Sequence, residues 1–406
     1  MFVTTSFHKK YASEILKNVA LKNFDLSKVV INANQAFRTA LEPSNVKTIR
    51  DQSSPQLPTA MKILPDQEMQ EFRSFFPHFV EDLTSNNLIT DLPVMNRKLK
   101  KILNYNVPTG KHIRAAILIA VYKSIMQENN IRSGNIREDF ILAWCMEMMG
   151  TYILIMDDIV DNSETRRGKL SWFKFKDVGL NAINDATIIQ MSLFEIINKY
   201  FSEHKYYKEL VNVFLKVNLK TFIGQTLDCE RLDLEKISKQ RFNEVTDNKT
   251  GYYTFYFPMV LAMYLANRPD LDFHRSGLKI LWELGRFYQF QNDYMDCYGE
   301  SYSGKLGTDI QEGKCSWLIL NALERASLSQ TKVLKENYGR WDKGCVEKVK
   351  EVYEELKLRD SYEAELTDRY TKMNTYLVYI KNELTRDLLK QLIRVCFGYQ
   401  TYLTFQ

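Results

Sequence analysis

Apolar residues recur at three- and four-residue steps along most of this 406-residue chain, and this spacing constrains its fold more than any other feature. Such spacing puts the apolar side chains on one face of a helix. Gly and Pro number only 16 and 9, about half their usual share, and no run alternates apolar and polar residues as a strand would. Helices are predicted at 69–83, 113–127, 140–159, 188–201, 207–222, 278–295, 317–326 and 346–358. The sequence therefore predicts an all-α protein, with one helical domain over residues 61–406.

Basic charge is concentrated at the N-terminus. Residues 1–50 carry eight Lys or Arg against three acidic residues, which leaves 47 of each sign in the rest of the chain. A neutral body argues against a nucleic-acid partner. We therefore predict a basic extension over residues 1–60. Its composition suits a mitochondrial transit peptide, and the alternative is an ordinary extension or a helix packed on the domain.

The cysteine content favours an intracellular protein, mitochondrial or cytoplasmic. The six Cys residues form no CxxC pair, which is typical of reduced thiols. No uninterrupted apolar run reaches the length of about 18–20 residues that a membrane span requires. The nearest run, 141–156, contains Glu147 and stops before two aspartates, so it predicts a buried helix.

A first acidic cluster ends that apolar helix. Asp157 and Asp161 are spaced i, i+4 and share a helix face, with Asp158 between them. Stacked carboxylates repel each other, and a divalent cation such as Mg²⁺ relieves that repulsion while sharing its ligand shell with substrate phosphates. Arg166 and Arg167 follow, and their fork-shaped donors suit phosphate oxygens. The segment predicts a site for Mg²⁺ and a diphosphate.

A second acidic cluster ends another apolar helix, at Asn292, Asp293 and Asp296, with Glu300 beyond. Two oxygen-rich helix ends that face each other can enclose several Mg²⁺ ions and a diphosphate. Basic side chains that could complete such a site are scattered along the chain. They are Lys111, Arg114, Lys249, Lys305 and Lys314.

In order along the chain, these segments resemble the trans-isoprenyl diphosphate synthase family, most closely its farnesyl diphosphate synthase branch. The matching segments are GKxxR at 110–114, DDIVDNSETRRG at 157–168, GQTLD at 224–228, KTGYYTFYFP at 249–258, FYQFQNDYMD at 287–296 and GKLGTDIQEGKCSW at 304–317. The resemblance implies the isoprenoid synthase helical bundle with a central active-site cavity, three Mg²⁺ ions per site, and a homodimer. It also implies that substrate is bound by Lys111, Arg114, Arg166, Arg167, Gln225, Lys249, Thr250, Gln289, Lys305 and Lys314.

Three departures from the family pattern point away from chain elongation. Asn292 stands where the family has Asp, and Gly150 stands where the family has a Gln that helps to hold isopentenyl diphosphate. The chain also lacks a cation after Arg394, whereas the family usually ends in a basic tail. Two of the three departures fall on the site of the second substrate.

The sequence therefore favours a terpene synthase similar to those of insects that derive from this family. It would ionise one allylic diphosphate, C15 farnesyl diphosphate, and release a sesquiterpene or a sesquiterpene alcohol. Its catalytic residues would be Asp157, Asp158, Asp161, Lys249 and Arg166. Its metal ligands would be Asp157, Asp158, Asp161, Asn292, Asp293 and Asp296. Aromatic faces would stabilise the carbocation, and the candidates are Tyr152, Phe222, Tyr253 and Tyr288.

Two alternatives remain open. One is a short-chain prenyl diphosphate synthase that condenses isopentenyl diphosphate with an allylic diphosphate to give geranyl or farnesyl diphosphate. In that case Tyr152 and Ile153 would limit product length, and the retained Lys111, Arg114 and Arg167 favour it. The other is an inactive subunit that regulates a partner synthase, which the intact first acidic cluster disfavours.

Overall fold

Helices account for nearly all regular structure in the described part of this chain. The structure, a computed structural model, describes residues 62–85, 92–128, 137–230, 233–269, 277–299 and 307–404. Those ranges hold fifteen α-helices, named α1 to α15 in chain order: Asp66–Thr84, Pro93–Asn106, Ile113–Glu128, Glu138–Val160, Ala182–Phe201, Tyr207–Cys229, Lys239–Thr246, Phe257–Leu265, Leu278–Tyr298, Asp309–Glu312, Trp317–Arg325, Leu328–Asn337, Lys343–Glu355, Leu358–Leu377 and Glu383–Thr404. The described residues lie within one unit, Pro55–Gln406. The predicted extension, residues 1–60, lies outside them, and its targeting role stays a prediction.

The all-α prediction is confirmed, and each of the eight predicted helical runs falls on a helix. One run, 346–358, proves to be two helices. α13 ends at Glu355, and α14 begins at Leu358 after Lys357 takes a left-handed conformation with a φ of 51°. Because no Gly or Pro marks this break, the apolar spacing continued across it.

Helix α4 forms the middle of the core, because it contacts α1, α3, α5 and α8. Trp144 stacks on Phe72 of α1 at a centroid distance of 4.3 Å, and its indole N–H donates to the Phe72 carbonyl at 3.2 Å. Among the described residues, α4 is the one helix long and apolar enough to span a membrane. Because 89% of its most apolar window is buried inside the protein, it is the buried core helix that the sequence predicts.

A π-helical segment, Asp247–Tyr256, joins α7 to α8 and packs between α6 and α9. The backbones approach closely on both sides. A Cβ added at Gly224 of α6 would lie 2.2 Å from the Lys249 nitrogen, and one at Gly285 of α9 would lie 2.6 Å from the Cα of Gly251. Two glycines therefore allow α6 and α9 to hold the π segment tightly.

A two-residue hairpin follows α4. Strand β1, Thr165–Arg166, pairs antiparallel with strand β2, Lys169–Leu170. The turn residues Arg167 and Gly168 both have positive φ, 54° and 74°, as a tight turn of this twist requires. Reversing the chain here brings Arg166 back towards the end of α4.

Candidate active site

The first acidic cluster lies at the C-terminal end of α4, as predicted. Asp161 follows the last helical residue, and its backbone N–H donates to the Asp157 carbonyl at 2.9 Å. Arg166, which lies in the hairpin, binds both carboxylates with two nitrogens of its guanidinium. Its Nε donates to Asp158 and its Nη2 to Asp157, each at 2.8 Å. The two carboxylates and the arginine therefore form one fixed group at the helix end.

Helix α6 and the π segment complete this group from the other side. The Gln225 amide donates to Asp157. Lys249 Nζ lies 2.6 Å from Asp228 and 3.9 Å from Asp157, and Lys314 Nζ lies 3.3 Å from Asp228. Burial alone would raise the pKa of Asp228, but the two lysines hold it at about 2. Asp228 therefore stays ionised and keeps both ammonium groups beside the first cluster.

Residue spacing assigned no functional role to Asp228, although this residue is the last of the GQTLD segment. A sequence signal for this role was present, because Asp228 lies near the C-terminal end of a long helix, as Asp157 and Asp293 do. What it lacked was a second carboxylate at helical spacing. Its importance comes from lysines supplied by the π segment and by the segment after α10.

The second acidic cluster lies near the C-terminal end of α9. Asp293 is 2% exposed and accepts hydrogen bonds from the Gln289 amide at 2.8 Å and from the Trp317 backbone N–H at 2.7 Å. Asp296 accepts the backbone N–H groups of Thr308 and Asp309 at 3.3 and 3.1 Å. The cluster thus anchors the start of α10 and of α11. Asn292 is exposed on α9.

Negative charge accumulates between the two clusters. Burial, together with the carboxylates of Asp228 and Asp296, raises the pKa of Asp293 to about 7. The pKa of Asp309 is raised well above its usual value by burial and by the same group of carboxylates. Asp228 and Asp161 both raise the pKa of Lys314 against the effect of its burial, so Lys314 lies within reach of both carboxylates.

This donor set suits a divalent cation. The side chains offer carboxylate oxygens, which Mg²⁺ prefers, and their mutual repulsion is of the kind that bound cations relieve. In the part of the chain that the structure describes, no three such side chains form a ready metal cage. Arg166, Trp317 and the α10 backbone occupy carboxylate oxygens instead.

A second group of cations lies beside the middle of α4. Arg114 donates to the Thr254 hydroxyl at 3.0 Å, and its guanidinium lies 3.9 Å from the centre of the Tyr253 ring. Arg167 donates to the carbonyl and the hydroxyl of Thr109. Lys111 is exposed and lies just before α3 in the sequence.

A buried His112–Glu147 pair supports these arginines. The His112 Nδ1 lies 3.2 Å from a Glu147 carboxylate oxygen. Burial acts to raise the pKa of Glu147, yet His112, Arg114 and Arg167 bring it below its usual value. An ionised carboxylate therefore lies near both arginines. Sequence spacing did not reveal it, because Glu147 lies within the apolar run of α4.

Gly150 lies next to this second group. A Cβ added there would lie 2.1 Å from the hydroxyl oxygen of Tyr253. The position where the sequence suggested a missing side chain is therefore filled by a phenol from the π segment. Tyr253 itself is 6% exposed.

An apolar cavity of about 350 Å³ opens beside Asp157, between α4 and α6. Ile153 and Met156 line one side, and Phe222 lines the other. The buried Tyr152 ring lies parallel to Phe222 at a centroid distance of 6.4 Å. The volume falls in the range of small-molecule sites, about 300–1,000 Å³, and its position fits an apolar tail attached to a group at Asp157.

Most predicted site residues are brought together. Thr250 donates to Gln289 at 3.0 Å, and Gln289 in turn holds Asp293, so the π segment is linked to the second cluster. Lys305 and Glu300 lie outside the described residues. The roles assigned to the individual residues stay predictions.

Comparison with known proteins bears on the function. The chain is 34% identical to farnesyl pyrophosphate synthase of Gallus gallus over 341 residues, which cover 82% of this chain and 93% of the relative. It is 36% identical to farnesyl pyrophosphate synthase of Nezara viridula over 335 residues, 82% of each chain. A solved structure of T. brucei farnesyl diphosphate synthase complexed with risedronate matches with a TM-score of 0.75 and 26% identity. That match covers 81% of this chain and 98% of the other.

These relatives overturn the terpene synthase prediction. Their names describe prenyltransferases, so the lyase reaction and a sesquiterpene product were wrong. The physical reason lies at the second cationic group. Arg114 donates to the buried Thr254, Arg167 donates to the half-buried Thr109, and Tyr253 fills the space beside Gly150. The loss of a side chain at residue 150 therefore did not empty that site.

A family model gives the same result for most of the chain. The polyprenyl synthetase model matches residues 96–356, a range that contains both acidic clusters, the π segment and both groups of cations. The fold, the order of the motifs and the curated relatives all agree with it. The chain is an enzyme of the polyprenyl synthetase family.

Proposed function

We propose that this enzyme condenses isopentenyl diphosphate with an allylic diphosphate, and that its main product is farnesyl diphosphate. The observation that carries the proposal is the presence of two groups of cations. Arg166, Lys249 and Lys314 surround the acidic clusters, while Arg114 and Arg167 form a second group with Glu147. Coupling brings two diphosphates into one cavity, and each needs its own charge-assisted donors.

The side chains of the first group would bind the allylic diphosphate. Lys249 and Arg166 lie against Asp157, where they can meet the phosphate oxygens as charge builds on the leaving group. Lys314, which follows α10, reaches the same region, where it pairs with Asp228 and lies near Asp161. Members of this family generally use Mg²⁺, and we propose that Asp157, Asp158, Asp161, Asn292, Asp293 and Asp296 hold it here. When bound, Mg²⁺ would neutralise charge on the departing diphosphate.

The second group would hold isopentenyl diphosphate. Arg114 and Arg167 would bind its diphosphate and direct its double bond towards the allylic carbon. In the reaction the allylic C–O bond breaks, a new C–C bond forms, and the adduct loses one proton to restore a double bond. One inorganic diphosphate leaves for each isopentenyl unit added.

Product length would follow from the apolar cavity. Phe222 lines the cavity, and the buried Tyr152 ring lies parallel to it from behind, which limits how far a growing tail extends. We propose a C15 product on this ground and on the names of the relatives.

We also propose a homodimer. Helix α6 presents Leu215, Leu219 and Ile223 at i, i+4 and i+8, with exposures of 50%, 64% and 41%. On α5, Ile183 and Met191 are also exposed. An apolar stripe of this extent on two successive helices is typical of a subunit interface, and a second copy of this chain is the partner that the family resemblance implies.

Substitution in each group of cations tests the coupling proposal. Arg114→Gln should raise the KM for isopentenyl diphosphate about ten- to a hundredfold, because it removes a charge-assisted contact. The KM for geranyl diphosphate should stay within about twofold. Lys249→Gln should instead lower kcat and raise the KM for geranyl diphosphate. Lys123→Gln, on the same helix as Arg114 and paired with Glu68, is the control. Equal changes in both KM values for Arg114→Gln would contradict the proposal.

A further inference from the structure

The side chains of residues 150 and 253 share one volume. A Cβ at Gly150 would lie 2.1 Å from the Tyr253 hydroxyl oxygen but 3.4 Å from the ring carbon that carries it. The first distance is impossible for real atoms, whereas the second is close to an ordinary van der Waals contact. Any side chain at residue 150 would therefore have to displace the phenol, and the hydroxyl alone causes the conflict.

The ring of Tyr253 also contacts Arg114. The Arg114 guanidinium lies over the Tyr253 ring at 3.9 Å and donates to Thr254, the next residue of the π segment. The Arg114 Nε is buried and finds no hydrogen-bond partner among the described residues, so the ring and Thr254 fix much of the orientation of the guanidinium. A displacement of the Tyr253 ring would move Arg114 with it.

The surroundings keep the phenol in place and protonated. Burial raises the pKa of Tyr253 to about 12, with opposing effects from Arg114, Glu147 and Arg167. Tyr253 therefore lies among the charges of the second group of cations as a neutral side chain. It packs inside the protein, where it is 6% exposed.

We propose that Tyr253 is a positioning residue for isopentenyl diphosphate, which acts by fixing Arg114, and that Gly150 is required in this chain because any side chain there would displace Tyr253. The inference rests on the proposed function. It differs from the interpretation of the sequence alone, in which Gly150 marks the loss of a Gln that helps to hold isopentenyl diphosphate. In this chain, Gly150→Gln should instead damage the site.

A double-mutant cycle tests the shared volume. Gly150→Ala should raise the KM for isopentenyl diphosphate about 3- to 30-fold, the range expected when a partly buried cation–π contact is lost. It should also lower the Tm, while the KM for geranyl diphosphate stays within about twofold. Tyr253→Phe keeps the ring under Arg114 but removes the hydroxyl, and its own Tm and KM values are the reference for the double variant. In the double variant, Tyr253→Phe should restore both the Tm and the KM to near its own values.

Two further variants test the role of the ring directly and control for the effect of an added methyl group. Tyr253→Leu removes the ring and should raise the KM for isopentenyl diphosphate by the same 3- to 30-fold factor even if Gly150→Ala fails to fold. Gly251→Ala is the matched control, because a Cβ there would meet Trp282 and Thr246 at 3.6 and 3.7 Å, which are ordinary contacts.

The inference is overturned if Gly150→Ala raises both KM values alike, if Tyr253→Phe fails to rescue it, or if Tyr253→Leu leaves the KM for isopentenyl diphosphate unchanged. These results leave the proposed function standing. If the unmodified enzyme consumes no isopentenyl diphosphate, that result would instead contradict the proposed function, and this inference with it.

Discussion

At the scale of single residues, the site depends on carboxylates that hold cations as much as on carboxylates that would bind metal. Asp228 binds both Lys249 and Lys314. Without it, two ammonium groups would face each other beside the first acidic cluster. Like charges at such a distance repel, and each would also lose a charge-assisted hydrogen bond.

Asp228→Asn should therefore lower the free energy of unfolding at pH 7 by about 1–3 kcal/mol, the value of hydrogen bonds to charged groups. The folded pKa of Asp228 is about 2, below the unfolded value of about 3.9. Its contribution is thus complete above about pH 5 and disappears as the pH falls from about 4 towards 2.

Urea unfolding of the unmodified protein and of Asp228→Asn at pH 7, 5 and 3.5 measures this contribution. The control Glu164→Gln, at an exposed carboxylate that pairs with Lys174, should change stability by less than about 1 kcal/mol. Equal stability of Asp228→Asn and the unmodified protein at pH 7 would contradict the account.

Residue spacing predicted where the acidic clusters lie, but it predicted neither all of their partners nor the reaction. The positions of Asp157, Asp158 and Asp293 at helix ends follow from apolar runs that stop at acidic residues. The meaning of Gly150 did not follow, because the volume beside it is filled by Tyr253 from a distant segment. A missing side chain is visible in a sequence, whereas the atom that replaces it is visible only in the fold.

At the scale of elements, the π segment determines the site geometry. It carries Lys249 and Thr250 to the acidic clusters and Tyr253 to the second group of cations. π-helical turns are rare and frequently lie at functional sites. No apolar spacing predicted this one, because its hydrogen-bond register depends on how closely α6 and α9 approach it.

Gly224→Ala tests that approach. The added Cβ would lie 2.2 Å from the Lys249 nitrogen, so α6 and the π segment must separate. Overpacking of this kind costs typically about 1–3 kcal/mol of stability, and the shift of Lys249 should lower kcat at least tenfold, as small misplacements of catalytic groups do.

Urea unfolding and steady-state kinetics on the same preparation measure both effects. Lys216→Ala, at an exposed position of the same helix, is the control and should stay within about 0.5 kcal/mol. Unchanged kcat and stability in Gly224→Ala would show that the contact between α6 and the π segment is not required.

At the scale of the whole molecule, the all-α architecture was predictable because apolar spacing of three and four residues runs through the chain. The surface could not be read in the same way. Leu219 and Ile223 fit the pattern of a helix with apolar residues on more than one side, and only their exposure distinguishes them from core residues.

A charged residue in the exposed stripe tests the proposed homodimer. Leu219→Lys should convert the dimer to a monomer, because a buried lysine without a partner is costly at an apolar interface. Light scattering after size-exclusion chromatography measures the mass. Leu328→Lys, at an exposed leucine of α12 outside the stripe, should leave the mass unchanged. A monomeric unmodified protein would contradict the proposal.

The central claim is that one active site couples two diphosphates, and product analysis tests it most directly. The purified enzyme is incubated with Mg²⁺, geranyl diphosphate and labelled isopentenyl diphosphate, and prenyl diphosphates and volatile products are collected from the same reaction. The account predicts labelled farnesyl diphosphate, with one inorganic diphosphate released for each isopentenyl diphosphate consumed. Release of a terpene or terpene alcohol from an allylic diphosphate, with isopentenyl diphosphate left unconsumed, would contradict it.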